Sequence, residues 1–95
     1  MKRLTVIIPT FNEEAYLERA LYSINFADEI IVVDSFSTDK TEEIARAHEC
    51  KFIQRKFDNF SNQKNFALKS ASSEWVLFLD ADERISYPLR QEILL

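Results

Sequence analysis

The sequence predicts an α/β fold in which helices cover both faces of a mainly parallel sheet. Four short apolar runs rich in strand-forming residues alternate with segments of helical spacing. The runs are continuously apolar, as is typical of strands that are buried on both faces. Three of them are followed by polar clusters, and ligands of such sheets bind at the carboxyl ends of the strands.

The first half of the chain predicts two strands and two helices. Residues 4–8 form a β-branched run that should end at Pro9. Residues 13–24 carry apolar side chains at helical spacing, which predicts a helix. Residues 29–33 predict the second strand. A polar loop, "DSFSTDKT", then leads into a helix predicted for residues 41–48.

The second half continues the same alternation. Residues 52–54 predict a short third strand, residues 62–70 a helix, and residues 75–79 a fourth strand. A last helix is predicted for residues 88–95, with Pro88 in its first turn. The crossovers should be right-handed. The result is a Rossmann-like three-layer α/β/α arrangement, expected as a single domain over residues 1–95.

Length, composition and charge bound the function. A chain of 95 residues makes one small domain or part of a larger one. Its hydrophobic fraction of 46% argues against disorder, and its net charge of −4 argues against a general nucleic-acid binder. A single cysteine, Cys50, cannot form an internal disulfide, which fits a reducing compartment. No apolar run approaches the roughly 20 residues of a membrane span. We therefore expect a cytoplasmic protein, or one peripheral to the inner face of the membrane.

Polar residues follow three of the predicted strands. "PTFNEE" follows the first, Asp34 and "SFSTD" follow the second, and Asp80 and Asp82 follow the fourth. Since parallel strands share one carboxyl edge, all three clusters should lie together. Structural alternatives stay open: Thr10 and Glu13 match a capping box, and Asp34 at a strand end could open a turn.

The pair Asp80 and Asp82 favours a metal site. Two carboxylates at i and i+2 in extended chain point to the same side, where they repel unless a cation lies between them. Mg²⁺ or Mn²⁺ would be held by such oxygen ligands together with substrate phosphates. The chain has no glycine, so a Gly-rich phosphate loop is excluded and a diphosphate would need the metal.

A nucleoside attached to that diphosphate would have further candidate partners. Asp34 could accept hydrogen bonds from a base or ribose, and the backbone at Pro9 and Thr10 could reach the base. Lys64, in "QKNFAL", could meet phosphate or base as a point charge, although a solvated helix position is the alternative.

Four segments in register resemble the inverting family 2 glycosyltransferases of the GT-A type. They are "VIIPTFNEE", "VVDSFSTDKT", "QKNFAL" and "WVLFLDADE", and the resemblance covers roughly residues 5–83. The form "DSFSTD" is most similar to bacterial lipopolysaccharide core transferases that add a hexose, often glucose. The resemblance implies a UDP-sugar donor, a divalent metal (Mg²⁺ or Mn²⁺), and a glycan or lipopolysaccharide-core acceptor.

The resemblance also implies roles for single residues. Asp82 would ligate the metal, and six residues would bind the nucleotide sugar. These six are Pro9, Thr10, Glu13, Asp34, Lys64 and Asp80. Within this set, Asp34 would meet the uracil or its ribose, and Asp80 the ribose or the diphosphate.

The sequence departs from the family pattern in two places. Phe36 stands where many members have glycine, which suggests a different turn. Family members also run well past twice this length and carry an acceptor-binding half with a catalytic base. Nothing here matches that base, and Glu83 is expected to be a solvated loop residue. We therefore expect a truncated donor-binding domain that has no catalytic residue of its own and is inactive alone.

Other functions fit the sequence less well. A nucleotidyltransferase would have a Gly-rich loop and a basic residue after the first strand, and a receiver domain would have acidic residues there. The alternative from a different class is a non-catalytic remnant that acts as an association module. Apolar surface exposed by truncation would then favour a homo-oligomer.

Overall fold

A computed structural model describes residues 4–84 and 86–94, and it shows four strands alternating with four helices. The strands are β1 (Leu4–Thr10), β2 (Glu29–Asp34), β3 (Lys51–Gln54) and β4 (Trp75–Phe78). The helices are α1 (Leu17–Ser23), α2 (Thr41–Ala47), α3 (Phe60–Ser70) and α4 (Tyr87–Leu94). The predicted order of elements is confirmed, and the prediction for Leu95 lies outside the described residues.

The four strands form one sheet in the order β3-β2-β1-β4, and every neighbouring pair is parallel. The two central strands are therefore β1 and β2, which have the most continuous apolar runs. Their register places Thr10 opposite Asp34 at the carboxyl edge. The predicted parallel sheet is confirmed.

Two hydrophobic clusters, one on each face of the sheet, make up the core. Val6 and Ile8 of β1 pack in one cluster with Leu17 and Leu21 of α1 and with Ala45 of α2. The other face carries a separate cluster, made of Ile7, Ile31 and Val33 of the strands with Ala67 of α3. Because alternate residues of a strand point to opposite faces, one continuous apolar run serves both clusters. The three-layer prediction is confirmed.

Strand β1 runs through Pro9 to Thr10, so the prediction that Pro9 ends the strand was wrong. Ile7 accepts a hydrogen bond from Leu79 N (3.0 Å) on the β4 side, and Thr10 accepts one from Ser35 N (2.9 Å) on the β2 side. Pro9 therefore faces the β4 side, beyond the last ladder bond. Its missing N–H costs no hydrogen bond there, which is where a strand tolerates proline.

Helix α1 begins at Leu17, four residues later than predicted, and the capping box does not form. The Thr10 hydroxyl donates to Asp34 (2.6 Å) instead of capping a helix. Tyr16 is the N-cap residue and makes no side-chain cap. Residues 11–16 are thus a loop over the carboxyl edge of the sheet.

Candidate functional site

A cavity of about 380 Å³ lies at the carboxyl edge of the sheet. Its walls come from the ends of β1, β2 and β4, the loop after β1, and the first turns of α3. Six of the seven residues predicted for the site line it. They are Pro9, Thr10, Glu13, Lys64, Asp80 and Asp82.

Asp34, the seventh predicted residue, lies beneath the cavity and does not form part of its lining. Its side chain is completely buried. One carboxylate oxygen accepts hydrogen bonds from the hydroxyls of Thr10 (2.6 Å) and Ser37 (2.5 Å), and the other accepts one from Ser37 N (2.8 Å). Asp34 thus fixes the start of the loop after β2, and direct contact with a base stays a prediction.

The loops after β1 and β2 are joined by hydrogen bonds from main chain to side chain. Asn12 is the central residue: its N–H donates to Ser37 Oγ (2.8 Å), and its side-chain oxygen accepts from Thr38 N (2.8 Å). Glu13 N donates to Thr41 Oγ1 (2.8 Å), and Glu14 N donates to Asp39 Oδ2 (3.1 Å). Side chains of the loop after β2 and of Thr41, the first residue of α2, thus satisfy the backbone of the loop after β1 and hold Glu13 at the cavity.

Phe36 has a φ of 58°, so the expectation of a turn different from that of glycine was wrong. Its N–H donates to Gln54 Oε1 (2.9 Å), and the next N–H, of Ser37, donates to Asp34. These bonds hold a bulky residue in the left-handed region, which costs an L-residue about 1–2 kcal/mol. Asn12, in the facing loop, has a φ of 53°. Such strain concentrates at functional sites.

Asp80 and Asp82 lie in a turn and not in extended chain as predicted. Glu83 N donates to Asp80 O (2.9 Å), and the Glu83 carboxylate accepts from Asp80 N (2.8 Å). Glu83 therefore closes this turn in addition to being exposed. Ala81 between the two aspartates is buried, while both aspartates are exposed and line the cavity. Both aspartates thus lie at the cavity, although the backbone between them is a turn and not extended.

The charge lining the cavity is mainly negative. Glu13, Asp80 and Asp82 are its acidic groups, and Lys64 is the basic one among the described residues. Burial, followed by the negative charges of Asp82, Asp39 and Asp80, raises the pKa of Glu13 above its ordinary value. Within the described chain, neither Asp80 nor Asp82 forms a side-chain hydrogen bond or ion pair. The site thus has unpaired negative charge that a cation would neutralise.

Lys64 lies on the first turns of α3 with its ammonium 5.5 Å from the centroid of the Phe78 ring. A cation above an aromatic face is held by the ring quadrupole. Phe78, at the end of β4, also lines the cavity. The contact keeps the Lys64 charge on the β4 side, towards the two aspartates.

Sequence reasoning missed the aromatic part of the cavity wall. Phe11, Tyr16, Phe57 and Phe60 line the cavity and are largely exposed. The rings of Phe57 and Phe60 meet edge to face, with centroids 5.3 Å apart. The sequence did carry one sign of this aromatic wall, which is the presence of large aromatic residues in polar segments after predicted strands. Such rings offer flat surfaces for a planar ligand.

The described residues fit a divalent cation that is coordinated largely by the phosphates of a bound substrate. No group of three or more Asp, Glu, His or Cys residues suited to a metal ion occurs in the part of the chain that the structure describes. Asp80 and Asp82 do offer free, exposed carboxylates, and Mg²⁺ typically combines one or two carboxylates with substrate phosphates.

Cys50 and His48 lie outside this cavity. His48 directly follows α2, with its Nε2 3.3 Å from Glu18 and its ring edge to face with Tyr22. Burial raises the pKa of the Cys50 thiol to about 11. Neither residue lines the cavity, so a Cys–His catalytic pair is not formed there.

The sequence profile of glycosyl transferase family 2 matches residues 5–93. The chain belongs to glycosyl transferase family 2. A glycosyltransferase of Rickettsia bellii is 44% identical over 93 residues, covering 97% of this chain and 32% of the relative. The lipopolysaccharide core biosynthesis glycosyltransferase LpsC of Rhizobium meliloti is 36% identical, covering 93% and 34%. This family 2 chain therefore spans about a third of the length of these relatives.

Solved structures agree with the family assignment. The glucosyl-3-phosphoglycerate synthase of Mycobacterium tuberculosis, crystallised with UDP, superimposes with a TM-score of 0.79 at 29% identity. The match covers 96% of this family 2 chain and 38% of the synthase. The same synthase has also been crystallised with Mn²⁺, UDP-glucose and phosphoglyceric acid. The GT-A type fold expected from the sequence is confirmed.

Proposed function

We propose that this family 2 chain is the donor-binding part of an inverting, metal-assisted glycosyltransferase that uses a UDP-sugar. The observation that carries the proposal is the convergence of Glu13, Lys64, Asp80 and Asp82 on one cavity at the carboxyl edge of the sheet. A hexose donor, with glucose first among the candidates, is supported by the likeness to a synthase crystallised with UDP-glucose. A lipopolysaccharide-core acceptor is supported by the likeness to LpsC.

The two ends of the cavity suit the two ends of a nucleotide diphosphate. Asp80, Asp82 and Lys64 lie at the β4 end, where a divalent cation and an ammonium together would balance the diphosphate. A divalent cation, when bound, supplies Lewis-acid stabilisation of the departing diphosphate. Phe57 and Ser35 mark the opposite end, after β3 and β2, where the base would lie.

The chain's own residues would bind and orient the donor. Asp82, with Asp80, would ligate the cation, Lys64 would contact phosphate oxygens, and Pro9 and Thr10 would border the base and ribose. Transfer with inversion also needs a base that deprotonates the acceptor hydroxyl. No residue of the cavity is assigned that role, so we propose that this chain alone binds donor without transferring sugar.

Calorimetric titration with UDP tests this proposal. With Mn²⁺ the 95-residue chain should bind UDP, and without the metal binding should weaken by tenfold or more. Asp82→Ala should abolish the effect of the metal. Glu43→Ala, which removes an exposed carboxylate of α2, is the matched control and should bind like wild type. Equal binding with and without Mn²⁺, or no binding at all, would contradict the proposal.

A second candidate function, association with another copy of this chain, is favoured by an apolar groove beside the edge strand β4. Trp75, at the start of β4, is 66% exposed, and Leu94 of α4 is 53% exposed. The groove between β4 and α4 is completed by Leu4, Phe26, Val76, Leu77 and Ile93, with Asp28 as its charged residue. An unpaired strand edge beside apolar side chains is a template for pairing.

Light scattering separates this candidate from a purely monomeric donor domain. A homodimer should dissociate when Trp75 is changed to Lys, because the substitution places a charge on the exposed strand. A monomer over the micromolar range in the wild type would remove this candidate and leave UDP binding untouched.

A peripheral position at the inner face of a membrane also stays a proposal. None of the described helices is long and apolar enough to cross a bilayer.

A further inference from the structure

Gln63 is a polar side chain in the cavity wall that the proposed donor site has not used. It lies on the first turns of α3, beside Lys64, and is only 5% exposed. Glutamine is rarely buried to this extent, and a buried amide needs hydrogen-bond partners for both of its ends. The environment of each end of this amide is therefore informative.

The oxygen end of Gln63 is fixed by Arg55. Arg55 Nη1 lies 2.9 Å from Gln63 Oε1. A guanidinium has donors and no acceptor, so the amide oxygen must face Arg55 and the amide nitrogen must face away. Arg55 is itself held by Asp58, through contacts of 2.9 and 3.3 Å, and lies over the Phe66 ring. The hydrogen bond from Arg55 holds the pKa of Asp58 well below its ordinary value.

The nitrogen end of Gln63 is unsatisfied. No acceptor for Nε2 occurs within residues 4–84 and 86–94. Among the described residues, the side-chain polar atom that is both fully enclosed and without a hydrogen-bond partner is Arg90 Nε. Gln63 Nε2 does not belong to this class. Gln63 Nε2 is therefore not fully enclosed, and Gln63 is one of the residues that line the cavity. A rigid NH₂ donor is thus presented to the cavity.

We propose that Gln63 is a specificity-determining residue that donates a hydrogen bond to a carbonyl oxygen of the nucleotide base. This inference rests on the proposed donor-binding function. Because Arg55 directly follows β3, it anchors Gln63 on the side of the cavity away from Asp80 and Asp82. At that end, near Phe57 and Ser35, the ligand group is the base and not the diphosphate. Uracil presents two carbonyl oxygens as acceptors for such a donor.

The test compares UDP with inorganic pyrophosphate, each titrated with Mn²⁺ into the same proteins. Gln63→Glu keeps an oxygen for Arg55 and replaces the donor by an acceptor. It should weaken UDP binding about tenfold or more, the cost of one unmade hydrogen bond. It should leave pyrophosphate binding within twofold of wild type. Gln91→Glu on exposed α4 makes the same chemical change away from the cavity and should alter neither.

The outcomes separate this inference from the function on which it rests. UDP binding unchanged in Gln63→Glu, or equal losses for UDP and pyrophosphate, would overturn the role of Gln63 and leave the donor site standing. Absence of metal-dependent UDP binding in wild type would overturn both. If Gln63→Glu unfolds at a lower temperature than Gln91→Glu, then Gln63→Met, which fills the same volume without charge, replaces it. The same expectations apply to that variant.

Discussion

Thr10 and Asp34 face each other across the last register position of β1 and β2, joined by a hydrogen bond of 2.6 Å between the hydroxyl and the carboxylate. Both side chains are buried, and Thr10 also lines the cavity. The same carboxylate also fixes the start of the loop after β2, because it accepts hydrogen bonds from the N–H and the hydroxyl of Ser37. The link couples the stability of the sheet edge to the shape of the site.

Asp34→Ala should therefore destabilise the chain strongly. The substitution leaves the Thr10 hydroxyl and the Ser37 N–H without their acceptor, and we expect a loss of about 2–4 kcal/mol in the free energy of unfolding. Urea denaturation followed by circular dichroism measures this. Asp34→Asn, which keeps one acceptor oxygen, should lose less. A loss for Asp34→Ala no larger than that of the surface variant Glu43→Ala would show that the network is not formed.

Relief of backbone strain at Phe36 gives a second prediction. Phe36→Gly should raise the free energy of unfolding by up to about 1 kcal/mol, because glycine adopts a φ of 58° without the penalty paid by an L-residue. Phe11 has a matching exposure of 59% against 58%, but its φ is not positive. Phe11→Gly should therefore give no gain. Equal shifts in the two melting temperatures would argue against strain at Phe36.

The raised pKa of Glu13 predicts a pH dependence of stability. Burial and the neighbouring aspartates favour protonated Glu13 in the folded state, so its pKa is higher folded than unfolded. The stabilising contribution of protonated Glu13 is therefore complete below the pKa that Glu13 has in the unfolded chain. It is lost as pH rises through the pKa that Glu13 has in the folded chain. Glu13→Gln should remove this loss. Relative to Glu13→Gln, the wild type should melt progressively lower as pH rises from about 4 to 7.

Divalent cations provide the check on that assignment. Mn²⁺ near Asp80 and Asp82 would offset the negative charge that acts on Glu13. The difference in melting temperature between wild type and Glu13→Gln at pH 7 should therefore shrink when Mn²⁺ is added. If the difference in melting temperature depends on neither pH nor Mn²⁺, the charges of the two aspartates do not affect the pKa of Glu13.

Cys50 should react slowly with thiol reagents. With a pKa of about 11, roughly one thiol in a thousand is ionised at pH 8, and the thiolate is the reactive form. Modification by a disulfide reagent at pH 8 should be at least tenfold slower in the folded chain than in urea. Equal rates in the folded and unfolded chain would show that Cys50 is not buried and that the pKa of its thiol is not raised.

The sequence alone determined the architecture and which polar residues lie at the carboxyl edge of the sheet. Continuous β-branched runs such as residues 4–8 can only be buried on both faces, so they specified the parallel sheet between two helix layers. Since parallel strands end at one edge, the polar residues after them had to converge. Six of the seven predicted site residues accordingly line one cavity. The capping box and the predicted turn at Phe36 failed because local patterns do not include long-range partners.

Tertiary structure decided how each polar group is used. Asp34 is buried because Thr10 and Ser37, one of them 24 residues away in the chain, saturate its carboxylate. Phe36 takes a left-handed backbone because Gln54 accepts its N–H. The amide oxygen of Gln63 is occupied by Arg55, which lies in the loop after β3, and this leaves the amide nitrogen as its free donor. A hydrogen bond between distant residues depends on where the fold places both of them, and that placement is absent from any local stretch of sequence.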